Sequence, residues 1–221
     1  MLKYIDLSHT IEDGVTSYKG LPAPIICDYF SREESKAFYE EGTTFQIGKI
    51  EMVSNTGTYL DTPFHRFENG HDLSEILITQ TADIEGLVIK VPFIETLSIG
   101  PEYFAGLDLE NKAILVHTGW AQHWKTDAYY VGNPFLTKEA AEYLVSQKVK
   151  LVGIDSHNID DTSGKSRPVH TILLKNEILI VEHLCNLEAI PANISFKFSA
   201  TPPKVKGMGT FPVRAFVSYR A

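Results

Sequence analysis

The eleven residues from Asn55 to His65 bring an amide, a phenol, a carboxylate and an imidazole together in one short stretch. These groups belong to Asn55, Tyr59, Asp61 and His65. The first three share one parity, so an extended backbone points their side chains to the same side. An intervening glycine and proline restrict the backbone between them. The stretch therefore predicts the end of a strand that lines a polar pocket.

The same stretch has an ordinary alternative explanation. Asn, Thr, Gly, Asp and Pro are turn formers, so the segment taken alone also fits a simple turn between two strands. A second polar cluster favours the pocket. His170 and Glu182 stand twelve residues apart, and the glutamate ends an apolar run, where a charged side chain needs a partner.

The stretch 55–65 resembles the signature of the bacterial kynurenine formamidase/cyclase family of metal-dependent hydrolases. The family pattern reads His-x-Gly-Thr-His-x-Asp-x-Pro-x-His, and the matching positions here are Gly57, Thr58, Asp61, Pro63 and His65. The first two histidines of the pattern are replaced by Asn55 and Tyr59. The downstream His170 and Glu182 match as well, and the resemblance covers nearly the whole chain, from about residue 3 to about residue 218.

The resemblance implies a metal site. In the family, the signature aspartate and the downstream pair are metal ligands, and the last signature histidine is the catalytic acid/base. Here these positions are Asp61, His170 and Glu182 as ligands and His65 as acid/base. One imidazole and two carboxylates form a hard ligand set that tolerates zinc, manganese or magnesium. Because two family ligands are missing, we expect one divalent metal, zinc or manganese, rather than two.

The alternative is a site without a catalytic metal. Asp61 then holds His65 in a defined tautomer, so that the imidazole works as a general acid/base. In that case Tyr59 and Asn55 donate hydrogen bonds to the oxyanion of a substrate.

The resemblance implies an arylformamidase-like enzyme, one that hydrolyses an amide, formamide or lactone bond in a small aromatic substrate, and hence a role in tryptophan catabolism. Trp120 and Trp124 are four residues apart, so one helical turn would place them on one face, either as core or as an aromatic wall for the substrate. The alternative of a different class is a non-catalytic protein that binds a small ligand. Retention of His65, His170 and Glu182 favours the enzyme.

Composition sets the remaining expectations. A chain of 221 residues is expected to form one domain, 1–221, and its 28 acidic and 20 basic residues give a formal charge of −8, which argues against nucleic acid or an anionic membrane as partner. Cys27 and Cys185 are expected to be free thiols. No apolar run approaches about 18 residues, so we expect a cytoplasmic protein. The resemblance also implies a homodimer or homotetramer.

Apolar runs predict strands at 3–9, 87–91, 113–117, 151–155 and 178–182. Residues 137–148 form the clearest predicted helix, capped by Thr137. A strand, a helix and a strand in succession indicate a parallel crossover, and therefore a mixed sheet in an α/β protein. The resemblance implies a barrel-like core with flanking helices, the swivelling β/β/α-like fold of the cyclase family.

Four further segments carry local predictions. Residues 31–42 fit a short helix or an acidic loop that begins with a capping box. In the strand 43–53 the apolar phase changes near Gly48, which predicts a bulge or a bend. Segments 203–207 and 211–218 resemble the last hairpin of the family.

Overall fold

The computed structural model describes residues 1–220, which form thirteen strands and three α-helices joined by loops and short 3-10 turns. The strands are β1 (Leu2–Asp6), β2 (Ile25–Phe30), β3 (Ile47–Glu51), β4 (Tyr59–Asp61), β5 (Ile84–Lys90), β6 (Ser98–Ile99), β7 (Ala113–His117), β8 (Phe135–Leu136), β9 (Leu151–Ile154), β10 (Leu179–Glu182), β11 (Phe196–Ser199), β12 (Thr210–Pro212) and β13 (Phe216–Arg220). The helices are α1 (Arg32–Ser35), α2 (Lys138–Ser146) and α3 (Pro168–Lys175).

Nine of these strands form one curled, mixed sheet in the order β1-β13-β11-β5-β7-β9-β10-β4-β12. The four strands β5, β7, β9 and β10 run parallel, and every other neighbouring pair in this sheet is antiparallel. Two short sheets, β2–β3 and β6–β8, lie apart from it. The predicted α/β fold with a mixed, barrel-like sheet is confirmed.

The central strands are buried on both faces, which explains their continuous apolar runs. On β7, Ile114 and Val116 pack into the core beneath α2 and α3. Ala113 and Leu115, which alternate with them, pack into the core on the opposite face. Helices α2 and α3 thus cover one face of the sheet, and the sheet curls around the core on its other face, which fixes the positions of the side chains that follow its strands.

Three local predictions concern helix α2, residues 31–42 and the strand around Gly48. Helix α2 is confirmed, with Thr137 Oγ1 accepting from the backbone N–H of Ala140 at 3.1 Å. Residues 31–42 contain only the four-residue α1 and one 3-10 turn, although the predicted capping box is present. The bulge lies opposite Gly48, on β2, where Tyr29 is the extra residue.

The predicted final hairpin is wrong. Residues 203–207 form no strand, β12 pairs with β4, and β13 lies between β1 and β11. Residues 213–215 join the two edges of the curled sheet, because Val213 N–H donates to the carbonyl of Thr58, before β4, and the Ala215 carbonyl accepts from the N–H of Leu7, after β1, each at 2.9 Å. These distant partners outweigh the short connection that favours a hairpin.

Across residues 1–220, no helix has the length and the apolar character that are needed to cross a membrane. The cytoplasmic location and the homo-oligomer stay predictions at this stage.

Both cysteines are free, as predicted. Cys27 is exposed on β2, whereas Cys185 is buried after β10. Burial above all, and then the charges of Asp6 and Glu188, raise the pKa of the Cys185 thiol to about 12.

We expect iodoacetamide at pH 8 to modify Cys27 rapidly and Cys185 only after unfolding, because the thiolate is the reactive form and Cys185 is both buried and protonated. Intact-mass measurements over time give the result, and the variant Cys27→Ser is the control, which should show no rapid modification. Equal rates for both thiols in the folded protein would contradict this account.

Candidate active site

Strand β4 has a partner on each side, and its register creates two polar pairs. Tyr59 stands opposite Glu182 on β10, and Asp61 stands opposite Thr210 on β12. Residues directly opposite on antiparallel strands project to the same face, with Cβ atoms about 5 Å apart. The Tyr59 hydroxyl donates to Glu182 Oε2 at 2.6 Å, and the Thr210 hydroxyl donates to Asp61 Oδ1. The sheet itself therefore sets these contacts.

His65 follows β4 at the end of a 3-10 turn that begins with Pro63. This turn brings the His65 Nδ1 to 3.6 Å from Asp61 Oδ1 and to 2.9 Å from Thr210 Oγ1. The turn depends on close packing against Gly209, where an added Cβ would lie 2.2 Å from the backbone nitrogen of His65. A glycine is required there because the two backbones touch.

His170 lies in the first turn of α3, where Asp160 orients it. The Asp160 carboxylate accepts from the backbone N–H of Val169 at 2.7 Å and of His170 at 3.0 Å, and its Oδ2 lies 2.6 Å from His170 Nδ1. The His170 Nε2 then points between Asp61 Oδ2, at 3.7 Å, and Glu182 Oε1, at 3.5 Å. Burial would lower the pKa of His170, but Glu182, Asp160 and Asp61 raise it to about 10.

Glu182 is buried, and both of its carboxylate oxygens are engaged. Oε2 accepts from the Tyr59 hydroxyl, and Oε1 accepts from the backbone N–H of Ile159, each at 2.6 Å. Burial raises the pKa of Glu182 to about 7, against the opposing charge of His170. The predicted role of Glu182 as a metal ligand thus competes with two hydrogen bonds that the side chain already accepts.

The donor set fits a divalent cation. Asp61, Asp160 and Glu182 are fully buried around the single imidazole of His170, which leaves an excess of buried negative charge. The Oδ2 atom of Asp61 is buried with no hydrogen-bond partner. One donor atom each from Asp61, His65 and His170 lies within 4.8 Å of the others. Burial would raise the pKa of Asp61, but His65 and His170 lower it, so the carboxylate is ionised.

The two residues that depart from the signature also lie at this site. Tyr59 is buried, and burial with the charge of Glu182 raises its pKa well above 10.0, so the phenol stays neutral. The Tyr59 hydroxyl donates its hydrogen bond to Glu182. The hydroxyl is therefore unavailable for the predicted contact with a substrate oxyanion. Asn55 lies beside the phenol, and its side-chain oxygen accepts from the hydroxyl of Ser54 at 3.2 Å.

The two tryptophans lie outside this group of side chains, and the burial of Trp120 agrees with the core alternative. Trp120 is buried and donates through Nε1 to the carbonyl of Tyr129 at 3.0 Å, while Trp124 stacks on His9 with ring centroids 4.0 Å apart. The 3-10 helix ends at His123, and Trp124 has a non-helical backbone, so the two indoles share no helical face. Neither lines the cavity beside Asp61, because the loop after β7 directs them away from it.

A cavity of about 260 Å³ opens above these groups. Its walls are Tyr18, Leu21, Asn55, Tyr59, His65, Arg66, Asn158, Arg167, His170 and Glu182. Asp61 lies beneath, within reach of His65 and His170. The structure therefore brings together all the predicted site residues except the two tryptophans.

Sequence reasoning missed the roles of two residues. Asp160 orients His170, and its only local signal is an acidic side chain shortly before the proline that starts α3. Thr210 joins Asp61 to His65 and has no local signal, because its role depends on the pairing of β12 with β4.

Comparison with known sequences identifies the family. The profile of the Cyclase family, described as "Putative cyclase", matches residues 5–161. A kynurenine formamidase from Bacillus cereus is 27% identical over 216 residues, which cover 97% of each chain. A kynurenine formamidase from Bacillus thuringiensis subsp. konkukian is 28% identical with the same coverage.

Comparison with solved structures supports the same fold. A potential metal-dependent hydrolase with cyclase activity superposes with a TM-score of 0.80 at 24% identity, covering 100% of both chains. An isatin hydrolase bound to the product analogue thioisatinate superposes with a TM-score of 0.84 at 16% identity, covering 100% of this chain and 93% of the other.

A second group of imidazoles packs behind the cavity. His157 contacts the ring of Tyr129 with centroids 5.7 Å apart, and His9 is covered by Trp124. Burial above all lowers the pKa of both histidines to about 4, with smaller contributions from Lys125 for His9 and Arg167 for His157.

These neutral histidines make stability depend on pH. Their folded-state pKa values of about 4 lie below the ordinary histidine value of 6.5, so between these limits the unfolded chain binds more protons and the folded state loses stability as the pH falls. We expect His157→Gln to reduce this loss between pH 6.5 and pH 4, as measured by urea unfolding.

The matched control is His71→Gln on the surface. The hydrogen bond with Glu177 raises the pKa of His71, so its contribution to stability is fully present below pH 6.5 and is lost as the pH rises above that value. His71→Gln should therefore lower stability by a constant amount between pH 6.5 and about pH 5, and only His157→Gln should change the slope in that window. Parallel curves for wild type and His157→Gln would show that His157 takes up its proton without cost to the fold.

Proposed function

Because the chain belongs to the cyclase family of enzymes, we propose that it is a metal-dependent hydrolase that cleaves the C–N bond of a small aryl formamide or a related amide. The observation that carries this proposal is the convergence of Asp61, His65 and His170 around a buried carboxylate oxygen with no partner. The kynurenine formamidase relatives, similar along 97% of the chain, support an amide as the substrate.

The metal is proposed to be zinc or manganese, held by Asp61 and His170. Either His65 or Glu182 completes the set: His65 places a donor atom within 4.8 Å of both, and Glu182 Oε1 lies 3.5 Å from His170 Nε2. When bound, such an ion polarises a carbonyl group and lowers the pKa of a coordinated water. Asp61 and Glu182 are fully buried, so water is excluded from the side of the site that faces the sheet.

His65 is the best placed side chain to move the proton. One third of its side chain is exposed, whereas the side chains of Asp61 and His170 are 0% and 6% exposed. An acid/base must reach both water and substrate, and a partly exposed imidazole meets that condition. His65 takes a proton as water adds to the formyl carbon, and it returns the proton to the nitrogen as the C–N bond breaks. The products are formate and the free amine.

The cavity wall indicates an anionic substituent on the substrate. Arg66 and Arg167 both line the cavity, and neither guanidinium forms an ion pair with a carboxylate of residues 1–220. Arg66 donates through Nε to Thr171 at 3.2 Å, and Arg167 donates through one terminal nitrogen to carbonyls of its own loop. Their remaining donors suit a carboxylate. Tyr18 and Leu21 supply apolar surface for a ring.

A non-catalytic binding protein is the second candidate. The observation in its favour is that Asn55 and Tyr59 replace two signature histidines, and that the Tyr59 hydroxyl is bonded to Glu182. Both candidates use the same cavity and the same arginines. They differ in whether metal and turnover accompany binding.

We also propose that the chain forms a homodimer or homotetramer. The hairpin β2–β3 forms a separate two-stranded sheet, and an isolated hairpin of this kind is only marginally stable in water. Ile26 and Ile50 pair directly on the face of this hairpin opposite Cys27, and they are 42% and 48% exposed. Contact with a second copy would cover this surface.

We expect protein purified without chelator to contain zinc or manganese and to hydrolyse N-formyl-L-kynurenine, with isatin as a second test substrate. Asp61→Asn should lose both metal and activity, since it weakens a buried anionic ligand. His65→Gln should keep the metal and lose activity by about 100-fold or more if His65 is the acid/base. Metal analysis and formate release measure the two properties separately.

Glu182→Gln serves as the comparison for the ligand set. Retained metal in this variant and loss of metal in His65→Gln would assign the third ligand to His65 and remove it from the acid/base role. A wild-type protein that binds N-formyl-L-kynurenine without metal and without turnover would establish the binding protein instead.

We expect Arg66→Gln to raise the KM for N-formyl-L-kynurenine about tenfold, because one charge-assisted hydrogen bond to the substrate carboxylate is worth roughly 1.5 kcal/mol. Formanilide, an aryl formamide without a carboxylate, is the matched control and should keep its KM. An equal rise for both substrates would show that Arg66 supports the cavity rather than an anionic group.

A further inference from the structure

We propose that Thr210 is a positioning residue that holds neutral His65 in the tautomer with its proton on Nδ1, leaving the Nε2 lone pair free. The contact that defines the proposal is a bridge. The Thr210 hydroxyl lies against Asp61 Oδ1 on one side and 2.9 Å from His65 Nδ1 on the other. The direct approach of His65 Nδ1 to Asp61 Oδ1, at 3.6 Å, is too long for a hydrogen bond.

The tautomer follows from counting hydrogens. A threonine hydroxyl has one hydrogen to donate and can also accept. An ionised carboxylate only accepts, so Thr210 must donate to Asp61. The hydroxyl oxygen is then left as the acceptor for His65, and His65 Nδ1 must carry the hydrogen.

The backbone around Thr210 is held by neighbouring segments, so the Thr210 hydroxyl stays in position to select the tautomer of His65. Thr210 pairs directly with Asp61 across β12 and β4, and the preceding Gly209 carbonyl accepts from the Thr62 N–H at 2.7 Å. Gly209 packs against the backbone of His65 with no room for a side chain. Thr210 is itself 2% exposed, so water cannot readily replace its hydroxyl.

The functional consequence rests on the proposed function. A free Nε2 lone pair is what His65 needs, either to accept a proton from water or to coordinate a metal. A Thr210 that merely filled space would affect the fold and leave the tautomer unchanged.

The test is nitrogen NMR of the full chain labelled with ¹⁵N-histidine, in metal-free protein at pH 8. A ¹H–¹⁵N correlation through two bonds separates protonated from unprotonated ring nitrogens, and His65→Gln assigns the signal among the eight histidines. We expect His65 to show a protonated Nδ1 and an unprotonated Nε2. A protonated Nε2 in the wild-type protein would overturn the proposal whatever the protein hydrolyses.

Two variants separate the hydroxyl from the shape of the side chain. Thr210→Val keeps the volume and removes the hydroxyl, so His65 should lose its single tautomer, and kcat should fall about 10–100-fold with little change in KM. Thr210→Ser keeps the hydroxyl and should keep both the spectrum and most of kcat. An unchanged His65 spectrum in folded Thr210→Val would also overturn the proposal. If Thr210→Val fails to fold, the wild-type and Thr210→Ser spectra still decide it.

The outcome is distinguishable from failure of the proposed function. A protein with the expected tautomer and no amide hydrolysis would leave the positioning role of Thr210 intact and refute the activity. Hydrolysis together with a protonated Nε2 would refute the positioning role and leave the activity intact.

Discussion

Burial of the Asp61 carboxylate is the constraint around which this site is built. A charge taken out of water is costly unless partners replace the lost hydration. Thr210 supplies one hydrogen bond, and the imidazoles of His65 and His170 supply nearby positive or polarisable groups. One oxygen remains without a partner, and it faces those same imidazoles. The requirement to satisfy this carboxylate thus produces the geometry that suits a cation.

Tyr59 stands where the family pattern has a histidine, and this residue limits how Glu182 can serve as a metal ligand. A neutral phenol donates to the carboxylate and removes one of its oxygens from the site, while the backbone of Ile159 occupies the other. His170 places an imidazole beside Glu182, and Asp160 holds that imidazole from the far side of the ring. Glu182 therefore lines the cavity with both oxygens engaged, and the buried Asp61 beneath it keeps a carboxylate oxygen without a partner.

The sequence predicts those parts of the fold whose causes are local. The apolar runs of β7 and β9 and the capped helix α2 depend on neighbouring residues, and they appear where expected. The polar stretch around Asp61 is also identifiable, because an amide, a phenol, a carboxylate and an imidazole fall within eleven residues and a second polar cluster, at His170 and Glu182, follows downstream.

What could not be predicted depends on contacts between distant segments. Thr210 is an unremarkable threonine until β12 pairs with β4. The tryptophans looked like a helical pair because sequence spacing ignores the 3-10 turn that separates their faces. The final hairpin failed for the same reason, since the backbone of Thr58 competes for Val213. In each case the partner lies more than fifty residues away or the backbone departs from a regular helix.

The long separations within the site also order its assembly in time. The Tyr59 partner on β10 follows 123 residues later, and the Asp61 partner on β12 follows 149 residues later. At roughly 5–20 residues per second, β4 waits on the order of ten seconds on the ribosome before both neighbours exist. During that interval β4 has neither of its neighbouring strands. The Leu60 side chain, which is buried in the folded protein, and the backbone hydrogen-bonding groups on both edges of β4 then have no partners in a sheet. The nascent chain must pass through this stage with its future reactive centre as a loose segment, open to aggregation and to chaperones.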